Sequence, residues 1–150
     1  MRYKEEGEIH KDFHLAVNTT INWVLSSYGI DFLAELFRRT AQDVYAAIYQ
    51  KLKNGDASEF IEHMEYFLSR EGGEFYLDEN DSGVILHIIK CPAACHIKDK
   101  YGKVPEAFHL QTVLLNNAWS QNTPFIISTD ILGECECQIR VARRKENGAK

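Results

Sequence analysis

The apolar positions of this chain change their period near residue 73, and the change separates a helical half from a sheet-forming half. Over residues 8–28, Ile9, Phe13, Ala16, Val17, Ile21, Val24 and Tyr28 recur at helical spacing, and Gly29 is a natural stop. A second stripe of Ile30, Leu33, Ala34, Phe37, Ala41, Val44, Tyr45, Ile48 and Leu52 predicts one long helix that ends at Asn54 and Gly55. Asp31 near its start suits the positive end of the helix dipole. A third helix, capped by Asp56 or Ser58, would bury Phe60, Ile61, Met64, Phe67 and Leu68 and close at Gly72 and Gly73.

Beyond that point the period falls to two. Residues 74–78 and 84–91 read as an antiparallel hairpin around the polar loop 79–83, and Pro92 ends the second strand because it cannot donate to the ladder. The run to Tyr101 reads as a short helix or ordered loop, terminated by Gly102 and Pro105. Residues 106–121 form a further helix, apolar on much of its circumference. A third strand follows at 125–131, then a turn at 132–134. Cys135, Cys137, Ile139 and Val141 next alternate with Glu136, Gln138, Arg140 and Ala142, the clearest strand pattern in the chain. The expected fold class is α+β: N-terminal helices packed on one face of a roughly four-stranded antiparallel sheet, with a crossover helix between strands two and three.

A chain of 150 residues suits one domain, with 1–72 mainly helical, 73–143 strands plus crossover helix, and 144–150 a frayed tail. Hydrophobic content of 45% beside 26% charged residues separates it from disordered chains. The net charge of −5 argues against nucleic acid as a partner, and the basic cluster of Arg140, Arg143, Arg144 and Lys145 is expected to be solvated. No apolar run is long enough to cross a bilayer, and residues 1–8 lack the apolar core of a signal peptide. The expectation is a cytoplasmic protein with no membrane partner. Four cysteines there are thiols or metal ligands rather than structural disulfides.

Candidate chemistry gathers where the second strand ends, because Cys91, Cys95 and His96 fall within six residues there. One reading is nucleophilic: Cys91 attacks, His96 or His109 carries the proton, and Cys95, Phe108 and Asp130 line the pocket, with Asp99 near it. The partner is then a small-molecule substrate or ligand. A second reading makes Cys91, Cys95, Cys135 and Cys137 metal ligands, with zinc the one cofactor suggested. Their spacing is not that of an ordinary zinc ribbon, yet the two pairs would meet if the last strand lay beside the second. A third reading is packing, since the face of Cys135 and Cys137 continues as Ile139 and Val141. His10 and His14 have the spacing of two ligands on one helix face, but Lys11 stands where a zinc protease would carry glutamate. Phe32, Leu36 and Tyr49, with Trp23 and Leu25, exceed the apolar surface one sheet needs and predict a homodimer.

Three stretches read together, Ile89-Lys90-Cys91-Pro92, Gly102-x-x-Pro105-x-x-Phe108 and the ending from Leu132 to Ile139, resemble the L-2-amino-thiazoline-4-carboxylic acid hydrolase-like family. The same ending is more distantly similar to 4-vinyl-reductase-type and TRAPP-like ligand-binding domains. The resemblance implies either hydrolysis of a small cyclic C–N substrate or a non-catalytic ligand-binding or sensor module. It matches Cys137 to the family's late cysteine and Cys91 to its partner. His109 stands where many hydrolase-like relatives carry a second cysteine. Ile126 and Thr129 stand where zinc-holding sensor domains place a late ligand pair, and neither is a zinc ligand.

Overall fold

Gly29 and a π-helical turn set the course of the N-terminal half. The computed structural model describes residues 12–145. Helix α1 spans Asp12–Arg39, but Gly29 at φ 82° and ψ 178° breaks it into two arms, a conformation that glycine alone adopts cheaply. The helix predicted to run unbroken over 30–52 is interrupted by a π-helical turn, Thr40–Val44, before α2, Ala46–Lys53. A π turn widens the helix and rotates the buried face of the turns beyond it. Ala41, Ile48 and Leu52 are accordingly buried, while Val44, expected inside, is exposed. Phe13, Tyr28 and Ile30 are likewise exposed rather than buried, and His14, Asn18, Ile21 and Val24 form the inner face of the first arm. Helix α3 comes next, at Ser58–Arg70.

The sheet has strands β1 (Glu74–Asn80), β2 (Gly83–Lys90), β3 (Phe125–Ile131) and β4 (Cys137–Arg143) in the order β1-β2-β4-β3, every neighbour antiparallel. The last strand therefore does lie beside the second. Two helices, α4 (Pro92–Tyr101) and α5 (Glu106–Ser120), fill the connection from β2 to β3. The fold is the expected mixed α+β arrangement of helices against an antiparallel sheet. One boundary differs: β4 begins at Cys137, so Cys135 belongs to the preceding loop and shares no strand face with it.

Leu86, Ile88, Cys137, Ile139, Val141, Phe125 and Ile127 face the helices and pack with Ile48, Leu52, Phe60, Leu68 and Trp119. Trp119 keeps its indole N–H satisfied by donating to the Ala41 carbonyl at 3.1 Å, which ties α5 to the π turn. Ser120 Oγ accepts from the Ile127 amide at 2.7 Å and fixes α5 on β3. Tyr76, Ile126, Asp130 and Arg140 stand exposed on the strands. Arg144, expected in the frayed tail, is anchored: its amide donates to the Pro124 carbonyl at 2.8 Å and its guanidinium to the Thr123 and Ser120 carbonyls at 3.1 Å. Residues 146–150 lie outside the described residues. Among the described residues no helix is long and apolar enough to cross a membrane.

Ile139 is fully buried and Ile126 is 47% exposed, so truncation should separate the two. Ile139→Ala is expected to lose about 2–5 kcal/mol in urea denaturation. Ile126→Ala should change stability by less than about 0.5 kcal/mol. Equal losses would contradict the assignment of the sheet's faces.

Candidate active site

The site begins where β2 stops. Cys91 is extended, at φ −74° and ψ 115°, and occupies the N-cap of α4, while Pro92 takes the first helical position that suits its fixed φ. This puts the thiol at the positive end of α4, although it makes no side-chain capping hydrogen bond there. The Cys91 amide donates to the Cys135 carbonyl at 2.8 Å, prolonging the contact between β2 and the β4 side of the sheet past the strand ends. Helix α5 completes the surroundings with Phe108, His109, Gln111 and Thr112, and the loop before β4 adds Glu134, Cys135 and Glu136. Together they line a cleft of about 30 Å³, room for one or two waters or the tip of a small polar group.

Two effects oppose each other at Cys91. Burial pushes the thiol above its usual range, while the Ala93 and Ala94 amides favour the thiolate; the Cys135 and Glu71 side chains reinforce burial, and burial prevails. Burial also pushes Cys137 up to about 12. Cys135 is raised to about 11, first by burial and then by its hydrogen bond with Cys95. His109 moves down, because burial disfavours the imidazolium more than the Glu134 carboxylate supports it. The cleft at neutral pH thus holds a protonated Cys91 and an uncharged His109 able to take a proton. Glu134 is held below the usual carboxylate range by hydrogen bonding to Lys98, Nζ to Oε2 2.6 Å, and by the Val104 amide at 3.0 Å.

Of the residues singled out from sequence, Cys91, Phe108, His109, Cys135 and Cys137 line this one cleft, whereas Cys95, one turn further along α4, is not among its lining residues. His96 does not join them. Its ring lies 6.5 Å from that of His14, outside the cleft lining, and its Nε2 is buried with no hydrogen-bond partner among the described residues. Asp130 does not line the cleft either: it is exposed on β3 and paired with Arg140, Nε to Oδ2 3.4 Å. Asp99 is exposed on α4. Among the described residues no three histidine, cysteine or acidic side chains are arranged to hold a metal ion. Cys137 packs into the core and Cys135 sits in a loop, so the four cysteines do not fit zinc and no step is routed through it. His10 lies outside the described residues, and His14 is engaged by Glu71, Nε2 to Oε2 2.7 Å.

Sequence reasoning missed Thr112, Glu134 and the buried His14–Glu71 pair. Each is set by packing between elements distant in the chain, and no local pattern marks any of them. Comparison with protein-family models, curated proteins and solved structures gives no match.

The raised thiols lead to a reactivity prediction. Iodoacetamide at pH 7 should label Cys91 and Cys137 far more slowly than an unstructured cysteine peptide, because only thiolate reacts. Both rates should climb about tenfold per pH unit between pH 7 and 9, followed residue by residue with mass spectrometry. Rapid labelling of Cys91 at pH 7 would show that the α4 amides, not burial, dominate.

Proposed function

We propose that the chain is a cysteine-dependent hydrolase of a small cyclic C–N substrate, in line with the resemblance to thiazoline-carboxylate hydrolases. The observation that carries this reading is the presence of Cys91, at the N-terminus of α4, and His109 on the walls of the same cleft. His109 accepts the Cys91 proton as sulfur adds to the C–N carbon, and returns it to the departing nitrogen. The Ala93 and Ala94 amides stabilise sulfur while it is anionic. Water then releases the acyl group from Cys91. A resting neutral thiol suits this sequence, because the proton moves only once substrate is in place. Cys91→Ser should preserve the fold yet lower turnover of an aminothiazoline carboxylate by about a thousandfold, and His109→Gln by about 10²–10⁴-fold. Hydrolysis retained by Cys91→Ala would exclude the nucleophile.

The small cleft favours a second reading, a non-catalytic module that holds a small ligand. Calorimetry with the same carboxylate separates the two: binding without turnover by the unaltered protein, and binding unchanged in Cys91→Ala, supports the module.

The same reading includes a homodimer. Trp23, Tyr28 and Phe32 are exposed yet packed ring against ring, 5.5 Å and 4.9 Å between successive centroids, with Leu36 exposed on the same helix. Tyr49 and Leu25, also expected at such a surface, turn inward: Tyr49 is buried with its hydroxyl donating to the Gln121 carbonyl at 2.9 Å, and Leu25 packs partly buried against the core. Light scattering should give a dimer mass for the unaltered protein and a monomer mass for Trp23→Glu; a monomer in both cases refutes the dimer.

A further inference from the structure

Where the chain leaves β2 and where it enters β4, two cysteines border one space. Cys91 caps α4, and Cys135 sits in irregular chain two residues before β4. The Cys91 amide donates to the Cys135 carbonyl at 2.8 Å. The fixed N–Cα, Cα–C and C=O bonds on either side of that contact keep the two Cα atoms within about 6.7 Å of each other. Disulfides span Cα separations of about 4.4–6.8 Å, so the two backbones already stand at bridging distance. Both residues also line the same cleft of about 30 Å³. Glu134, the residue before Cys135, is paired with Lys98 of α4 at 2.6 Å and accepts from the Val104 amide at 3.0 Å. Those ties hold the loop against the helix that Cys91 caps. The other two cysteines are placed differently. Cys137 reaches the cleft but is buried in the β4 ladder, opposite Ile88 and Ile131, and Cys95 does not line the cleft.

From this geometry we infer that Cys91 and Cys135 form a reversible dithiol–disulfide pair, a modification site for a small disulfide oxidant of the glutathione class. All four cysteines are free thiols in the structure. Closing the bond takes side-chain rotation and a shift of Cys135, whose irregular backbone adjusts without breaking a strand ladder. The chemistry balances in two exchanges. The thiolate of Cys135, the less buried of the two, attacks the small disulfide, forms a mixed disulfide and expels one small thiol. The thiolate of Cys91 then attacks the Cys135 sulfur, forms Cys91–S–S–Cys135 and expels the second small thiol; both protein protons go to solvent or to the departing thiolates. The protein loses two electrons and the small disulfide gains them. Burial raises both thiols, and each exchange needs a thiolate, so the bond forms faster as pH rises. Closing it occupies the sulfur assigned to the hydrolysis, so oxidation switches that site off. This last consequence rests on the hydrolase reading; the bond itself does not.

The test uses no substrate, so its outcome is independent of whether Cys91 catalyses hydrolysis. The full chain is oxidised with oxidised glutathione at pH 8, and remaining thiols are trapped with N-ethylmaleimide under denaturing conditions. Cys91 and Cys95 share one tryptic peptide and Cys135 and Cys137 another, so tandem mass spectrometry within the crosslinked pair places each sulfur. The expected result is loss of two of the four thiols, a single bond joining Cys91 to Cys135, and recovery of both thiols on reduction with dithiothreitol. Cys91→Ser and Cys135→Ser should each abolish the crosslink, while Cys95→Ser and Cys137→Ser should leave it. Four retained thiols, stable glutathione adducts without a crosslink, or a bond between any other two cysteines would overturn the inference.

Discussion

Strand β4 enters the sheet between β2 and β3, and the site depends on that insertion. An antiparallel strand in this position runs back along β2, so the loop leading into it must arrive where β2 ends. That loop carries Glu134 and Cys135, and the end of β2 carries Cys91. The backbone bond from the Cys91 amide to the Cys135 carbonyl, 2.8 Å, is the last contact of this alignment. Had β4 added outside β3, the same residues would lie two strand spacings away, about 10 Å, and the cleft would not exist. Helix α5, fixed over β3 by Ser120 and to the π turn by Trp119, then brings Phe108 and His109 to the third wall.

The chemistry of the cleft is decided by a contest between a helix terminus and burial. The start of α4 beside Cys91 favours negative charge on its sulfur, while the surrounding apolar side chains withhold water from it. Burial prevails, so the resting thiol keeps its proton. The same burial keeps His109 uncharged. One cause therefore sets both partners in the protonation states that a base-assisted nucleophile starts from.

Two segments of α1 show how much of the helical half was readable. The stop at Gly29 was legible because glycine is the residue that tolerates the positive φ found there. The buried face of the first arm was not. A stripe chosen by hydrophobicity selected Phe13 and Tyr28, but the interior accepts His14, whose polar ring is matched by Glu71 from the end of α3. Hydropathy cannot register such a partner, because it arises 57 residues away. The π turn was equally invisible: a single widened turn leaves composition unchanged while rotating Val44 to the surface and Tyr49 inward.

Most helices and strands, the α+β class and the clustering of reactive side chains around the end of β2 were legible in the chain. These rest on local properties: period 3.6 against period 2, proline's missing donor, glycine's freedom. It also marked Cys91 and His109, since chemistry-bearing residue types announce themselves wherever they occur. Which of them meet depends on long-range packing. His96 and His109 were equivalent candidates in the chain, yet His96 lies by His14, outside the cleft lining, and α5 lays His109 along the cleft. Cys135 looked like a strand residue because it continued an alternation, but the loop's ties to α4 end the strand at Cys137. Strand order and helix docking are long-range packing outcomes, and those distances are not written in any local run of residues.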